Sequence, residues 1–233
     1  MKGIKLWGYA LGMSVMILSA STAQADSYKD YYDYNYEEKD GEIAIVNPND
    51  NLATIDGVLF NKVEKRLLKY PRENSATSYS IPEGVTSIGE EAFYGCENLT
   101  NITIPEGVTS IEKSAFSDCE NLTSITLPEG VTSIGEGAFY DCENLTGIII
   151  PESVTSIGKS AFSGCENLTD VTIPEGITSI EGQVFSRCEN LTSITIPKSV
   201  TSIGFCAFDG CANLTSITLP EGVTSIEFGA FSG

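Results

Sequence analysis

The sequence contains no histidine, has a single tryptophan, Trp7, and is poor in basic residues. Histidine is the side chain that most often serves as general base, proton shuttle or metal ligand, so its absence argues against most acid–base and metal-dependent chemistry. Lysine and arginine total 13 against 32 aspartates and glutamates, which gives a formal net charge of −19. Such an acidic surface repels the phosphates of nucleic acids and anionic lipids, so we expect neither as a partner.

Beyond its start, the chain also lacks a long apolar run. Lys2 and Lys5 precede a mostly apolar stretch at 6–18, and the motif AQA at 23–25 matches a small-x-small cleavage site. This pattern predicts a signal peptide over residues 1–25. The alternative is a membrane anchor, but the stretch is shorter than the ~20 residues that a spanning helix needs. We therefore expect a secreted or cell-surface protein with no membrane span after cleavage.

Two segments of unlike composition follow the leader. Residues 26–42 are acidic and rich in tyrosine without a periodic apolar face, which favours a solvated linker; the alternative is a binding tail. Residues 43–80 contain "ATIDGVLFN" and "RLLKYP", separated by "KVEK", and this order predicts a β-hairpin. Because the first unit of a repeat array exposes one face, we expect residues 43–80 to form an N-terminal cap.

Residues 81–233 repeat one 23-residue pattern, L-x-x-I-x-I-P-x-x-V-x-x-I-x-x-x-A-F-x-x-C, in six full copies and a truncated seventh. A fixed period in the twenties predicts a solenoid in which each copy forms one coil. The L-x-x-I-x-I part alternates as a β-strand does. The A-F part is too short for a full helix and predicts a short helical or 3₁₀ turn. The expected fold class is thus a β-rich α/β solenoid.

The alternation divides each copy into inward and outward positions. The residues predicted to form the core are Leu99, Ile102, Ile104, Val108, Ile111, Phe116, Cys119, Phe139, Cys142, Phe162 and Cys165. The outward strand positions, predicted to form a binding face, are Asn101, Thr103, Ser124, Thr126, Asp170, Thr172, Ser193, Thr195, Ser216 and Thr218. Gly147 and Ile149 interrupt this hydroxyl-rich row, which argues against the alternative of an ice-binding lattice. The other alternative is that threonine and serine merely suit an exposed strand.

The copy "IPEGVTSIGEEAFYGCENLTNIT" resembles the BspA-like (Treponema pallidum type) leucine-rich repeats, and "IDGVLFNKVEKRLLKYP" resembles the segment that often precedes them. The resemblance covers residues 55–233. It implies a right-handed leucine-rich repeat superhelix in a bacterial surface or secreted protein. It also implies an adhesin-like function with protein partners, such as host extracellular matrix or cell-surface proteins. The alternative function is a structural spacer, or a piece of a larger modular surface protein, that self-associates end to end through an open C-terminal edge.

Cysteine recurs at the same position of every full copy: Cys96, Cys119, Cys142, Cys165, Cys188 and Cys211. Stacked at ~4.8 Å, their Cα atoms would lie within disulfide range, but parallel Cβ vectors suit disulfides poorly. We expect buried core thiols, with disulfides as the alternative. Cys206 falls at a polar position and is either a free thiol or a partner of Cys211. The sequence has no C-x-x-C cluster, so no zinc site, other metal or cofactor is expected.

Two columns of glutamate and one of asparagine also recur. The glutamates follow the proline or precede the asparagine of each copy, and they are interpreted as solvated turn residues, with calcium binding or a basic partner as alternatives. The asparagines form N-L-T sequons but are expected to stabilise turns. We find no nucleophile–base pair and no phosphate loop, and a uniform column offers no differentiated pair of carboxylates. The sequence therefore does not predict an enzyme.

Overall fold

The computed structural model describes residues 36–46 and 51–233, so the predicted signal peptide and residues 26–35 of the predicted linker lie outside it. The chain forms a β-solenoid of about seven coils, and the described residues contain 18 strands and no helix. The strands are β1 (Tyr36–Lys39), β2 (Glu42–Ile45), β3 (Leu52–Ile55), β4 (Val58–Asn61), β5 (Arg66–Lys69), β6 (Ser78–Ser80), β7 (Ser87–Ile88), β8 (Asn101–Thr103), β9 (Ser110–Ile111), β10 (Ser124–Thr126), β11 (Ser133–Ile134), β12 (Gly147–Ile149), β13 (Ser156–Ile157), β14 (Asp170–Thr172), β15 (Ser179–Ile180), β16 (Ser193–Thr195), β17 (Ser202–Ile203) and β18 (Ser225–Ile226).

Each of the first five repeats contributes one three-residue strand and one two-residue strand, and the sixth and seventh contribute a two-residue strand only. Within each sheet these strands pair in parallel with their equivalents in the neighbouring repeats. Ser124 pairs with Asn101 on one side and Gly147 on the other, so the register shift is one repeat. The three-residue strands form the sheets β6-β8-β10-β12 and β14-β16. The two-residue strands form β7-β9-β11-β13, which continues into β5-β4-β3, and β15-β17-β18. The three-residue row is interrupted between β12 and β14, where the third repeat (127–149) meets the fourth (150–172). The two-residue row is interrupted between β13 and β15, where the fourth repeat meets the fifth (173–195).

The predicted helical or 3₁₀ turn is not confirmed, because the A-F segment forms hydrogen bonds between repeats instead. Phe116 N–H donates to Ala138 O of the next repeat at 2.8 Å, whereas Ala115 N–H donates back to Glu112 O at 3.3 Å. Along the segment, N–H groups thus alternate between donating to the next repeat and donating to a carbonyl of their own repeat. A helix directs every N–H along its own axis, so it could not supply the bonds to the neighbouring repeat. We call this third row of bonds the turn ladder.

Backbone dihedral angles give the second reason that no helix forms. Ser114 has φ +51° and Asp118 has φ +57°, and the equivalent residues of the other full repeats are also left-handed. Two left-handed residues four positions apart interrupt any right-handed helical turn. Several equivalents are glycine, such as Gly137 and Gly164, which adopt this conformation without a Cβ penalty. At each of these two positions, some repeats have glycine and others have a residue whose backbone is strained in the left-handed conformation.

The core is a continuous column in which each side chain packs on its own equivalent. The Phe162 ring stacks between those of Phe139 and Phe185, with centroid separations of 5.4 and 5.6 Å and interplanar angles of 3° and 5°. All eleven residues that the sequence predicts as core are buried, and Phe116, Phe139 and Phe162 have no exposed surface. Stacked, offset aromatic pairs of this kind stabilise beyond the area that they bury.

The segment at 43–80 covers the first repeat. Strands β4 and β5 form the predicted hairpin, β3 adds a further antiparallel strand, and β5 pairs in parallel with β7 of the first repeat. Tyr70 takes the position of the recurrent phenylalanine and lies 5.3 Å from the Phe93 ring. The segment therefore supplies both a strand edge and an aromatic ring to the start of the column.

One part of the predicted linker is ordered as a strand, which corrects the interpretation of residues 26–42. Tyr36–Lys39 pairs with β2 in an antiparallel hairpin. Tyr36 packs on a small apolar cluster that includes Ile43 and Leu59, because alternate residues of this strand face the cap. Asp40 and Gly41 form the turn with φ of +53° and +75°, the pair of left-handed residues that a tight hairpin requires.

Replacing a ring in the middle of the column should destabilise the fold strongly. Phe162→Ala is expected to lower the free energy of unfolding by about 3–5 kcal/mol, because it leaves a cavity and removes two stacking contacts. The measurement is equilibrium unfolding in urea, followed by circular dichroism.

Phe228 supplies a matched control, because its side chain is 84% exposed. Phe228→Ala should change the free energy of unfolding by less than about 0.5 kcal/mol. Equal effects of the two substitutions would contradict the inward assignment of the A-F phenylalanine.

Candidate binding surface

The outward residues of the three-residue strands form one broad surface, which we call the strand face. All ten residues that the sequence predicts for it are exposed: Asn101, Thr103, Ser124, Thr126, Asp170, Thr172, Ser193, Thr195, Ser216 and Thr218. Eight of them lie in β8, β10, β14 and β16. Ser216 and Thr218 lie at the end of the sixth repeat (196–218), where the chain forms no paired strand, which corrects their placement. In the earlier repeats the N–H of the threonine before the strand donates to the carbonyl oxygen of the equivalent threonine one repeat back. Among the described residues, Thr215 N–H makes no such bond to Thr192 O.

Most outward residues of the strand face are small and polar. Asn101 donates a weak hydrogen bond to Ser124 Oγ at 3.4 Å, and Thr169 Oγ1 donates to the Asp170 carboxylate at 3.0 Å. The threonine that precedes each strand donates its hydroxyl to the equivalent carbonyl of the repeat before, as Thr123 does to Thr100 O at 3.0 Å. These bonds fix the edge of the face, so its hydroxyls are held on a stiff backbone rather than on mobile loops.

Ile149 is the exception on this face, and the predicted binding set omitted it. Its side chain is 76% exposed, and it pairs in register with Thr126 of β10. Gly147, two residues earlier on the same side, leaves open space where a Cβ would stand. An exposed isoleucine beside an open notch gives the face one apolar point at its centre. The signal was present in the sequence as an isoleucine at a position where other copies have threonine.

Carboxylates flank the strand face on both sides, and we call these columns the acidic rims. The rim that precedes the strands consists of Glu97, Glu120, Glu143, Glu166 and Glu189, and the rim that follows them consists of Glu83, Glu106, Glu129, Glu152, Glu175 and Glu221. All are exposed except Glu166, which is half-buried. Within residues 36–46 and 51–233, no group of three or more carboxylates or thiols is arranged to hold a metal ion. The rims add negative charge along both edges of the strand face.

Several basic residues are already paired with carboxylates, so they do not offset the rims. Arg66 pairs with Glu112 and Arg187 with Asp141, each pair spanning two repeats. Arg187 reaches Asp141 across Gly164, whose added Cβ would collide with both side chains. Burial raises the pKa of Asp141, and Arg187 opposes that rise. Gly164 therefore permits the ion pair between Arg187 and Asp141, because it has no side chain between them.

The six recurrent cysteines are buried free thiols, and each of the last five has a specific partner. Cys142 Sγ lies 3.1 Å from Phe116 O, and Cys165 Sγ lies 3.2 Å from Phe139 O, so each carbonyl accepts from the thiol of the next repeat in addition to the backbone N–H three residues later. The same bond recurs in the other three: Cys119 with Phe93, Cys188 with Phe162, and Cys211 with Phe185. Cysteine is small, apolar and a weak donor, so it suits a core position that faces a carbonyl oxygen.

The remaining repeated residues stabilise turns. Asn121 Nδ2 donates to Glu97 O at 2.9 Å, and Asn213 repeats this bond with Glu189 O at 2.9 Å. This agrees with the expectation that the asparagine column is structural. Cys206 is half-buried and not bonded to Cys211, and it occupies a left-handed position with φ +51°. The equivalent residues of the other repeats include glutamate, serine, glycine and glutamine, so this turn position does not require a cysteine.

The buried thiols predict a loss of stability at alkaline pH. Burial raises the pKa of Cys96 from 9.0 to about 12 and that of Cys211 to about 11, and it raises the pKa of the others as well. A thiol with a raised pKa holds its proton more tightly in the folded state. Stability is therefore complete below pH 9 and falls as pH rises toward the folded values, by up to about 1.4 kcal/mol per thiol and pH unit.

Urea unfolding at pH 8, 9 and 10 measures this effect. Cys142→Ala has one thiol fewer and should show a shallower decline than the unsubstituted chain, although it is less stable at pH 8 because the smaller side chain leaves space in the core. A free energy of unfolding that stays constant from pH 8 to pH 10 would show that the thiols are not buried.

Comparison with known proteins places this geometry in a family. The BspA type leucine rich repeat region matches in six copies over residues 61–192 and 178–233. A leucine-rich repeat protein from Eubacterium ventriosum is 34% identical with a TM-score of 0.72, over 78% of this chain and 50% of that one. The pneumococcal vaccine antigen PcpA is 26% identical with a TM-score of 0.54, over 76% of this chain and 43% of that one. A Treponema pallidum leucine-rich repeat protein is 24% identical with a TM-score of 0.56, over 73% of this chain and 91% of that one, and shares the fold.

This chain thus spans about half the length of the Eubacterium ventriosum protein. No curated protein sequence matches it. Over the residues that the structure describes, no helix has the length and apolar character needed to cross a membrane. The repeat pattern, the parallel ladders and the family match agree, and the chain belongs to the BspA-type leucine-rich repeat proteins.

Proposed function

We propose that this chain is a secreted or cell-surface module that binds protein partners through the strand face, as an adhesin does. The observation that carries the proposal is the exposed Ile149 at the centre of a mostly uncharged face between two acidic rims. A large apolar side chain within a polar surface is the usual composition of an interface centre and its rim. The pneumococcal relative is described as a vaccine antigen, and this supports a location accessible from outside the cell.

The shape of the strand face favours a macromolecule over a small molecule. Ligand pockets are concave and bury most of the ligand, whereas the strand face is a row of parallel strands with outward hydroxyls. Protein interfaces bury about 800 Å² on each partner, and a surface several repeats long provides such an area. The rigid ladders beneath the face also keep the entropic cost of binding low, because few side chains need to be ordered.

The charge of the strand face and of its acidic rims indicates which kind of partner protein would bind there. Glutamates lie along both edges of the strand face, and the face itself carries one charged residue, Asp170. A partner with lysines or arginines on either side of a polar or apolar centre complements this arrangement. Exposed charges are screened over ~8 Å at physiological ionic strength, so such binding should weaken as salt increases. Host extracellular matrix and cell-surface proteins with basic segments are the partners that we propose.

The test uses residues 26–233, immobilised matrix proteins and whole cells. Saturable binding to one partner is expected, and Ile149→Asp should weaken it about tenfold or more, because a carboxylate replaces the apolar centre of the interface. Val63→Asp is the matched control, since Val63 is also β-branched, is 69% exposed and lies in the cap. It should leave the affinity unchanged.

Three results would count against this function. They are no saturable binding in the whole panel, equal effects of the two aspartate substitutions, and affinity that does not change with salt. Titration with calcium and with a chelator adds a further readout, because dependence on calcium would assign the rims a cation rather than a basic partner.

A spacer function is the second candidate, and exposed apolar residues in the seventh repeat favour it. Ile226 is 50%, Phe228 84% and Phe231 41% exposed, although the equivalents of Ile226 and Phe231 in other repeats are buried. A further coil of the same repeat would cover this surface and pair with β18. Sedimentation velocity over a range of concentrations distinguishes the two, because reversible end-to-end assembly without partner binding supports the spacer.

A further inference from the structure

One column of outward side chains carries charges of alternating sign, unlike the uniform acidic rims. It lies two positions after the strands β7, β9, β11 and β13, and it consists of Glu90, Lys113, Glu136 and Lys159. We call these four residues the alternating column, and all of them are exposed. The alternation extends over the first four repeats, because the equivalent residues of the later ones are Gly182, Phe205 and Phe228.

The placement of the two lysines is informative because basic residues are rare in the repeats. Residues 81–233 contain four of them, and the other two are Arg187 and Lys198. Lys113 and Lys159 stand two repeats apart at one position, and glutamate occupies that position in the repeat before each of them. The alternating column is therefore electrically neutral on a chain whose formal net charge is −19.

Ion pairs within the chain involve only the middle of the alternating column. Lys113 Nζ lies 3.5 Å from Glu136 Oε1, and both side chains remain more than half exposed. Among the described residues, neither Glu90 nor Lys159 forms an ion pair. Glu90 instead lies near a like charge, because it adds to the rise that burial causes in the pKa of Glu112. The column thus ends in a carboxylate on one side and an ammonium group on the other, and both are available to a partner.

The turn ladder holds the backbone beneath the alternating column. Glu91 N–H donates to Lys113 O at 3.0 Å, and Gly137 N–H donates to Lys159 O at 2.8 Å. These bonds keep the charged residues at the spacing of neighbouring coils, about 4.8 Å. The four charges therefore form a regular row that is about 14 Å long.

The order Glu-Lys-Glu-Lys is complementary to itself when two copies run antiparallel. A two-fold axis between the second and third repeats places Glu90 opposite Lys159 of the second copy, and it places Lys113 opposite Glu136 of the second copy. Each charge then faces the opposite sign, and the spacing matches because the two columns are identical. Two copies in parallel register place like charges opposite each other instead.

The composition of the surrounding surface favours this arrangement over others. Two copies that meet through their acidic rims bring glutamates opposite glutamates, which is unfavourable. The alternating column lets two copies approach without opposing like charges. Small neighbours help, because Gly135 and Gly158 directly precede Glu136 and Lys159, so the long charged side chains extend beyond the residues beside them.

We propose that the alternating column is the centre of a two-fold interface between two copies of this chain. Exposed ion pairs stabilise weakly, so the dimer is reversible, with a dissociation constant of roughly tens of micromolar or higher. The strand face belongs to the other strand row, so the dimer leaves both strand faces uncovered. Two linked strand faces can bind a surface at two points and so increase avidity, a consequence that rests on the proposed function, whereas the dimer itself does not.

Sedimentation velocity of residues 26–233 at physiological salt tests the dimer, at concentrations up to about 500 µM because a weak interface is expected. The expected result is a monomer–dimer equilibrium that stops at the dimer, since a two-fold interface is closed. A chain that stays monomeric at all concentrations overturns the proposal, because the column then pairs charges within one chain only. A series of larger oligomers also overturns it, since end-to-end assembly produces such a series.

Two variants with the net charge of the unsubstituted chain test the antiparallel register. Glu136→Lys/Lys159→Glu gives the order Glu-Lys-Lys-Glu, which opposes like charges at every position and should weaken the dimer about tenfold or more. Lys113→Glu/Glu136→Lys gives the order Glu-Glu-Lys-Lys, which remains complementary to itself and should keep the affinity within about threefold. The first variant has the more favourable neighbours within its own chain, so lost stability cannot explain the expected difference. Equal affinities of the two variants overturn the proposal.

Exchange of all four charges supplies the last test. Glu90→Lys/Lys113→Glu/Glu136→Lys/Lys159→Glu should dimerise with itself but not with the unsubstituted chain, as measured by energy transfer between differently labelled copies. Energy transfer in the mixture that equals that of each chain alone overturns the proposal. Ile149→Asp should dimerise normally and lose only partner binding, so failure of the dimer and failure of the proposed function are distinguishable.

Discussion

Backbone hydrogen bonds between equivalent residues of neighbouring repeats are the constraint on which the rest of this structure depends. Three rows of such bonds, two of strands and the turn ladder, place every residue next to its own equivalent. Once that register exists, phenylalanine stacks on phenylalanine and each buried thiol meets the carbonyl of the preceding repeat. One coil has no core of its own, so its apolar residues are stabilised only by the coils beside it. The repetition of the sequence is the direct consequence.

The same constraint explains how the surface is organised for binding. Side chains that alternate inward and outward on stacked strands produce uniform columns, and outward columns of small hydroxyl residues produce a flat strand face. Function then depends on departures from the repeat rather than on the repeat itself. Ile149 gives the strand face an apolar centre, and Lys113 and Lys159 give the alternating column its opposite charges. Ile177 and Val184, which stand where the other repeats have valine and alanine, accompany the interruption of the two-residue strand row. In this fold a single substitution in one copy is enough to create a local feature, because all of its neighbours are regular.

Periodicity alone predicted most of the fold. The 23-residue pattern identified the strand alternation and the buried phenylalanine and cysteine positions, since each follows from the spacing of apolar residues. The hairpin of β4 and β5 was predicted separately, from the two apolar stretches of residues 43–80. It did not predict the turn ladder, because left-handed residues such as Ser114 and Asp118 look like ordinary polar positions in a sequence. The hairpin before the cap was missed although Asp40-Gly41 is a recognised turn signal. The interruption of the two-residue strand row between β13 and β15 was not predicted, because one methyl group in Ile177 does not alter a hydrophobic pattern, whereas it does alter packing.

Deletion of one repeat tests the register most directly. Removing residues 104–126 takes out one complete coil and rejoins equivalent positions, so the shortened chain should fold cooperatively with unchanged circular dichroism per residue. Removing residues 104–125 deletes one residue fewer and leaves Thr126 as an extra residue between Thr103 and Leu127, so one coil has 24 residues and its side chains cannot all face their equivalents in both neighbouring coils. We predict that this chain unfolds at a much lower urea concentration than the first. Equal stability of the two deletions would contradict the account, because the stacking of equivalent residues would then not be what holds the solenoid together.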